Sequence, residues 1–254
     1  MGSRISLCGL AFITILSDRA ECQIPNSQPA SEIRKEFTLG RHLGGDLESK
    51  DGVITDSDII GYVQEIANRL SGTTPARSLT VRISRGSDVY ANLMPHDVLY
   101  ISGALLERLD NEAELAGLLA HQLAHLRGTP TPSPRQATTT VTMPRCVLAS
   151  QRIPSAWSER QREPELLATK ASIQILSAAG YEPSAVLDLH SKLAYEHPLW
   201  AKALVPEDLL TLRVSLEADV APHADYVIDT SAFAQHHARL LAALGHTKTK
   251  PSLR

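Results

Sequence analysis

The residues with the clearest chemical potential are two histidines four positions apart, in the run His121-Gln122-Leu123-Ala124-His125. On an α-helix that spacing sets two imidazoles one turn apart on the same face, where both can reach a single metal ion such as zinc. When such a pair serves peptide hydrolysis, the residue after the first histidine is a glutamate that acts as general base toward a metal-activated water. Here that position is Gln122. A glutamine amide can hold a water by hydrogen bonds, but it cannot take up the water's proton at ordinary pH. Losing a general base costs roughly 10²–10⁴-fold in rate, about 3–5 kcal/mol of barrier. The spacing alone is a weak signal, because histidines four apart on a helix are commonly unrelated surface or core residues.

Other chemistries find less support. No G-x-S-x-G elbow and no glycine-rich phosphate loop occurs. Cys146 lacks the local signature of a nucleophile, and Cys8, Cys22 and Cys146 form neither a disulfide framework nor a CxxC metal site. His42 and Asp46 have no supporting neighbours, and the pair His236-His237 reads as surface.

The elements that would position the histidine pair follow from periodicity. Thr55 to Asp58 starts a helix whose apolar residues, Ile59, Ile60, Val63, Ile66, Ala67 and Leu70, recur at helical spacing until Gly72. Leu79–Ile83 and Val98–Ile101 read as strands and together suggest a small antiparallel sheet. Asn111 and Glu114 form a capping box for the helix that carries the histidines, which Gly128 and Pro130 end. Residues 129–156, rich in Thr, Pro and Ser, read as a long loop. Pro164 fits the first turn of a helix running to Gly180, and Pro183 opens another reaching about Tyr195. Pro206–Glu217 is apolar at helical spacing, Tyr226–Ile228 reads as a short strand, and Ser231 caps a last helix to Leu244. A helix, a hairpin and then several helices make an α+β arrangement.

Composition sets the frame. The 254 residues are 43% hydrophobic but only 4% aromatic, so the core must be built from Leu, Ala, Ile and Val. A net charge of -3 with no basic stripe argues against a nucleic-acid partner. Arg4 followed by the apolar run Ile5–Leu16 and a polar stretch to Cys22 has the form of a secretory signal, too short to span a bilayer. The expected division is a signal peptide at 1–22, a flexible lead-in at 23–31, one domain at 32–245 and a disordered tail at 246–254. No further segment is apolar enough to form a transmembrane span, and the leader points to an exported chain.

The surroundings of the histidine pair resemble zinc metallopeptidase family forty-eight, the gluzincins that include CAAX-prenyl-protease, HtpX-type and soluble periplasmic quality-control proteases. Asn111 to His121 is similar to that family's approach to its HExxH motif, and Asp58–Leu70 to its first helix. Tyr90–Pro95 with Leu99–Ser102 resembles the preceding hairpin. Ala178–Pro183, the pair His197-Pro198 and Asp225–Ser231 with Phe233 resemble later landmarks, so the likeness covers about residues 32–244. It implies a zincin-like α+β metallopeptidase domain, a small antiparallel sheet packed on several helices, zinc held by two His and one Glu, endopeptidase activity and, together with the leader, the bacterial periplasm as the compartment.

The sequence departs from that pattern at decisive places. The family's base falls on Gln122. Counting back from Gly180-Tyr181, the Glu-Ala-Asp run of the third-ligand helix falls on Leu167, Ala168 and Thr169, so the ligand position holds an aliphatic side chain. The hairpin Asn falls on Tyr90 and the Gly pair after the Pro on His96 and Asp97. Glu163, four residues before Leu167, and His197 are the candidate substitute ligands, while Glu165, two residues from Leu167, should point away. With only His121 and His125, zinc would bind weakly or not at all. Three readings follow: a pseudoenzyme that binds polypeptide or a protein partner without cutting it, a slow zinc endopeptidase in periplasmic quality control, and a structural domain whose histidines only pack.

Overall fold

The computed structural model describes residues 38, 42, 44–72, 78–94, 97–128, 155–196, 204–219 and 225–245. The expected leader, the lead-in, most of the 129–156 loop, His96, Cys146, His197 and the basic tail lie outside the described residues.

The elements run α1 (Ser57–Gly72), β1 (Thr80–Ser84), β2 (Ala91–Met94), β3 (Val98–Ser102), α2 (Gly103–Leu106), α3 (Glu112–Gly128), α4 (Ser155–Ala178), α5 (Ala185–Glu196), α6 (Pro206–Asp219) and α7 (Ser231–Ala243). A further helical stretch occupies 44–51. The α+β class holds, but the sheet is mixed rather than antiparallel. Its order is β1-β3-β2, with β1 parallel and β2 antiparallel to β3. The two strands legible from alternation are therefore parallel neighbours. The one that reverses direction, β2, is short and half-buried, and reads poorly as a strand by itself.

Helix starts follow side-chain capping. Asp56 Oδ1 accepts from the amides of Asp58 (3.0 Å) and Ile59 (3.3 Å) at the head of α1. At α3, Asn111 Oδ1 accepts from the Glu114 amide, and the Glu114 carboxylate accepts from the Asp110 amide, both at 2.9 Å. Thr230, one residue before the expected Ser231, caps α7 by accepting from the Phe233 amide at 3.1 Å. The Tyr226–Ile228 segment makes a single bridge, Val227 to Tyr181.

α3 is the centre of the domain. Its residues from Ala113 to Ala124 are buried all round, which is why it lacks an amphipathic face. It packs most extensively on α4, and then on α5 and α1. Gly117 allows the α5 crossing, since a Cβ there would lie 3.1 Å from the Val186 Cα. At the head of α3, buried Glu112 accepts hydrogen bonds from the hydroxyls of Tyr62 and Tyr181, each at 2.9 Å, and from Thr230. Arg69 donates to the Tyr181 hydroxyl at 2.7 Å. This network ties α1, α3, the α4–α5 turn and the start of α7 together.

α4 corrects the reading of Pro164, which lies inside the 24-residue helix instead of in its first turn. A proline inside a helix removes one hydrogen bond and costs about 3 kcal/mol. Pro164 is solvent-exposed, where water can satisfy the freed carbonyl.

Candidate metal centre

His121 and His125 lie on α3 with their Nε2 atoms 3.0 Å apart. The third member of the cluster comes from α4, and it is Glu165. One carboxylate oxygen of Glu165 lies 3.1 Å from His121 Nε2 and the other 3.4 Å from His125 Nε2. One potential ligand atom from each of the three residues falls within 4.8 Å of the others, and among the described residues this is the one such grouping of His, Cys, Asp or Glu.

The expectation that Glu165 points away is thus overturned, and helical geometry gives the reason. At 100° per residue, Glu165, Ala168, Thr169 and Ser172 share one face of α4. The last three are buried against the domain, so Glu165 faces the same way. Leu167 lies about 200° from Glu165 and is 60% exposed. Glu163 lies on that outer side too and is exposed. Neither reaches the two histidines, and His197 lies outside the described residues. The third carboxylate is present, two residues earlier than counting from Gly180-Tyr181 places it. The apolar residues Ala168, Ile175 and Leu176 recur at helical spacing on the inward side of this helix and could have located that face.

The electrostatics suit a cation. His121 is fully enclosed, and burial holds its pKa below the ordinary histidine value against the pull of Glu165. Burial alone would raise the Glu165 carboxyl, but the hydrogen bonds and charges of the two histidines win and hold it well below the usual carboxylate range. The centre therefore offers an ionised carboxylate and a neutral imidazole, the protonation states a metal requires. The His125 and Glu165 side chains keep 20% and 23% of their surface exposed, which leaves the cluster open on one side.

Two neighbours complete the surroundings, Thr169, met in the sequence as the position of the family's Asp, and His190, not singled out there. Thr169 donates its hydroxyl hydrogen to the Glu165 carbonyl (2.8 Å), leaving its oxygen facing His121 Nδ1 at 3.4 Å. With a metal on Nε2 in place of the hydrogen bond to Glu165, that oxygen would be placed to accept the Nδ1 hydrogen of His121. Buried His190 on α5 sets its ring edge-on to His121 with centroids 4.8 Å apart. Burial first, then the charge of His121, pushes its pKa down to about 3. Nothing in the local pattern around 190 separates it from the leucines that share its face.

Gln122 is 7% exposed. It lies 100° around α3 from His121 and about 60° from His125, on the flank of the histidine face. The other positions flagged by sequence are structural. His236 stacks on Tyr62 and His237 on Phe233. The Tyr90 hydroxyl bonds Ser84 at 2.6 Å and Asp51 at 2.9 Å. Asp97 adopts φ 63°, a left-handed conformation suited to the glycine that the family resemblance would place there.

Residues 55–149 match the model of Peptidase family M48. The matched span runs from the start of α1 past the end of α3, so it contains His121, Gln122 and His125 but not Glu165. No curated protein matches the chain.

Proposed function

We propose, from the family M48 peptidase segment at residues 55–149, that this chain is a zinc-binding metallopeptidase relative that holds polypeptide and hydrolyses it poorly. The observation that carries the reading is the convergence of His121, His125 and Glu165 beside a glutamine where hydrolysis wants a carboxylate.

The donor set fits zinc. Two imidazole nitrogens and one carboxylate are a known catalytic zinc set that keeps a fourth position open. Zinc bound there would act as a Lewis acid and lower the pKa of a water at the open position. The chain's own residues supply the rest. Glu165 brings the negative charge and Thr169 orients His121. Gln122 can orient a water or a carbonyl by hydrogen bonds, but it cannot relay a proton from one to a leaving amine.

Polypeptide binding is supported by the sheet. β2 is an edge strand, and the amide of Ser102 donates to the Tyr90 carbonyl at 3.0 Å. With the register Ala91↔Ile101 and Leu93↔Leu99, the backbone N–H and C=O of Ala91 and Leu93 point away from β3. An extended peptide can pair with such an edge. The leader-like residues 1–22 support export to a periplasm, and among the described residues no helix is long and apolar enough to cross a membrane. A phosphatase reporter fused after residue 22 should be active outside the cytoplasm, and a reporter retained inside would refute export.

The completeness of the three-residue set favours a second reading, a slow zinc endopeptidase with a base other than Gln122. Casein or peptide-library cleavage at matched zinc content separates the two. Wild type should cleave at or near background, and Gln122→Glu should gain about 10²–10⁴-fold. Chelator-sensitive cleavage by wild type that Gln122→Glu fails to raise would overturn the proposal.

A further inference from the structure

We infer that Gln122 makes the open side of the His121, His125 and Glu165 cluster a receptor for a carboxylate, with the free C-terminus of a peptide as the ligand class. The inference rests on the zinc reading above and names the ligand of that same site.

The argument starts from what the amide offers. A glutamate at 122 is an acceptor only and carries a charge that repels a second carboxylate. A glutamine at the same place is neutral and presents two N–H donors. The exchange removes the base of a hydrolase and, with the same atoms, installs a donor for an anion. Gln122 is 7% exposed, so that donor acts in a largely dry setting, where charge-assisted hydrogen bonds are strongest. His125 follows on the same side of α3, and the cluster is open where His125 and Glu165 remain partly exposed.

Charge points the same way. Glu165 is the one carboxylate in the cluster among the described residues. A divalent cation held by two neutral imidazoles and one carboxylate keeps a single positive charge. A glutamate at 122 would cancel it, and Gln122 does not. One carboxylate ligand restores neutrality, whereas a peptide amide brings no charge. The match of residues 55–149 to a peptidase family favours a ligand with a peptide chain behind its carboxylate over a small free acid.

The test uses the full chain loaded with zinc, with bound zinc counted first. Titration calorimetry then compares N-acetyl-Ala-Ala as the free acid, the same dipeptide as its C-terminal amide, and acetate. The acid should bind at least tenfold tighter than either. Gln122→Glu, and separately Gln122→Leu, should weaken acid binding at least tenfold while the zinc count stays that of wild type. Equal binding of acid and amide by wild type, a comparison that needs no variant, overturns the inference, as does Gln122→Glu binding the acid like wild type. Acetate binding as tightly as the dipeptide acid overturns the peptide assignment. A chain that takes up no zinc overturns the zinc reading and this inference together. Zinc uptake without a preference for the acid sinks this inference alone.

Discussion

Replacing Glu165 by Gln should remove most of the stabilisation that zinc confers, and the size of the effect follows from the geometry. Glu165 holds one oxygen 3.1 Å from His121 and the other 3.4 Å from His125, and it is the cluster's only anionic group among the described residues. Residues that merely orient metal ligands are worth about 10–100-fold in affinity, so removing a charged ligand should cost at least about 100-fold. Zinc at 100 times its Kd stabilises the folded state by about 2.7 kcal/mol, and a 100-fold weaker site at the same concentration by about 0.4 kcal/mol. For a chain of this length 1 kcal/mol moves Tm by about 2–4 °C, so wild type should gain about 5–11 °C and Glu165→Gln about 1–2 °C. The assay is thermal unfolding with zinc and with chelator. Leu167→Ala and Glu163→Gln serve as controls and should keep the full shift, because both side chains lie on the outer face of α4. A Glu165→Gln variant that retains the wild-type shift, or a Leu167→Ala variant that loses it, refutes the assignment of the third ligand.

Thr169→Val, which deletes the oxygen facing His121 Nδ1, should weaken zinc binding about 10–100-fold in competition with a chromogenic chelator, and unchanged affinity would remove Thr169 from the site. His190 gives a pH signature in the chelator-treated protein. Its folded pKa, about 3, lies below the unfolded value near 6.5, so its contribution is whole above about pH 6.5 and drains as pH falls toward 3. Between pH 7.5 and 5 wild type should lose about 2 kcal/mol more stability than His190→Gln in urea titrations, and parallel losses would contradict the burial argument. Glu112→Ala leaves the hydroxyls of Tyr62, Tyr181 and Thr230 without this acceptor, and should cost about 3 kcal/mol in the same urea assay. A cost under about 1 kcal/mol would show that the network is dispensable.

How much of this is legible in the sequence depends on how local each signal is. α1 and α3 announce themselves through caps and apolar spacing, and their starts fall where Asp56 and Asn111 place them. The parallel pairing of β1 with β3 is not legible, because strand direction is set by which neighbour completes the sheet. β2, half-buried over four residues, carries too little alternation to read as a strand by itself, and the family resemblance over Tyr90–Pro95 is what marks its hairpin with β3. The histidine pair is legible because both residues sit on one helix. The third carboxylate comes from another helix 40 residues further on, where a register error of two positions turns the face inside out: Leu167 points to solvent and Glu165 to the two histidines. His190 and Thr169 join the site only through packing of α5 and α4 on α3, which no local pattern reveals.

The most direct test of the central claim, that α3 and α4 together build a complete zinc site without a general base, is anomalous diffraction at the zinc edge from crystals of the zinc-loaded wild-type chain. The account predicts one strong peak within roughly 2.0–2.2 Å of the Nε2 atoms of His121 and His125 and an oxygen of Glu165. A peak that lacks Glu165 among its ligands, or no peak between the two histidines, would contradict it.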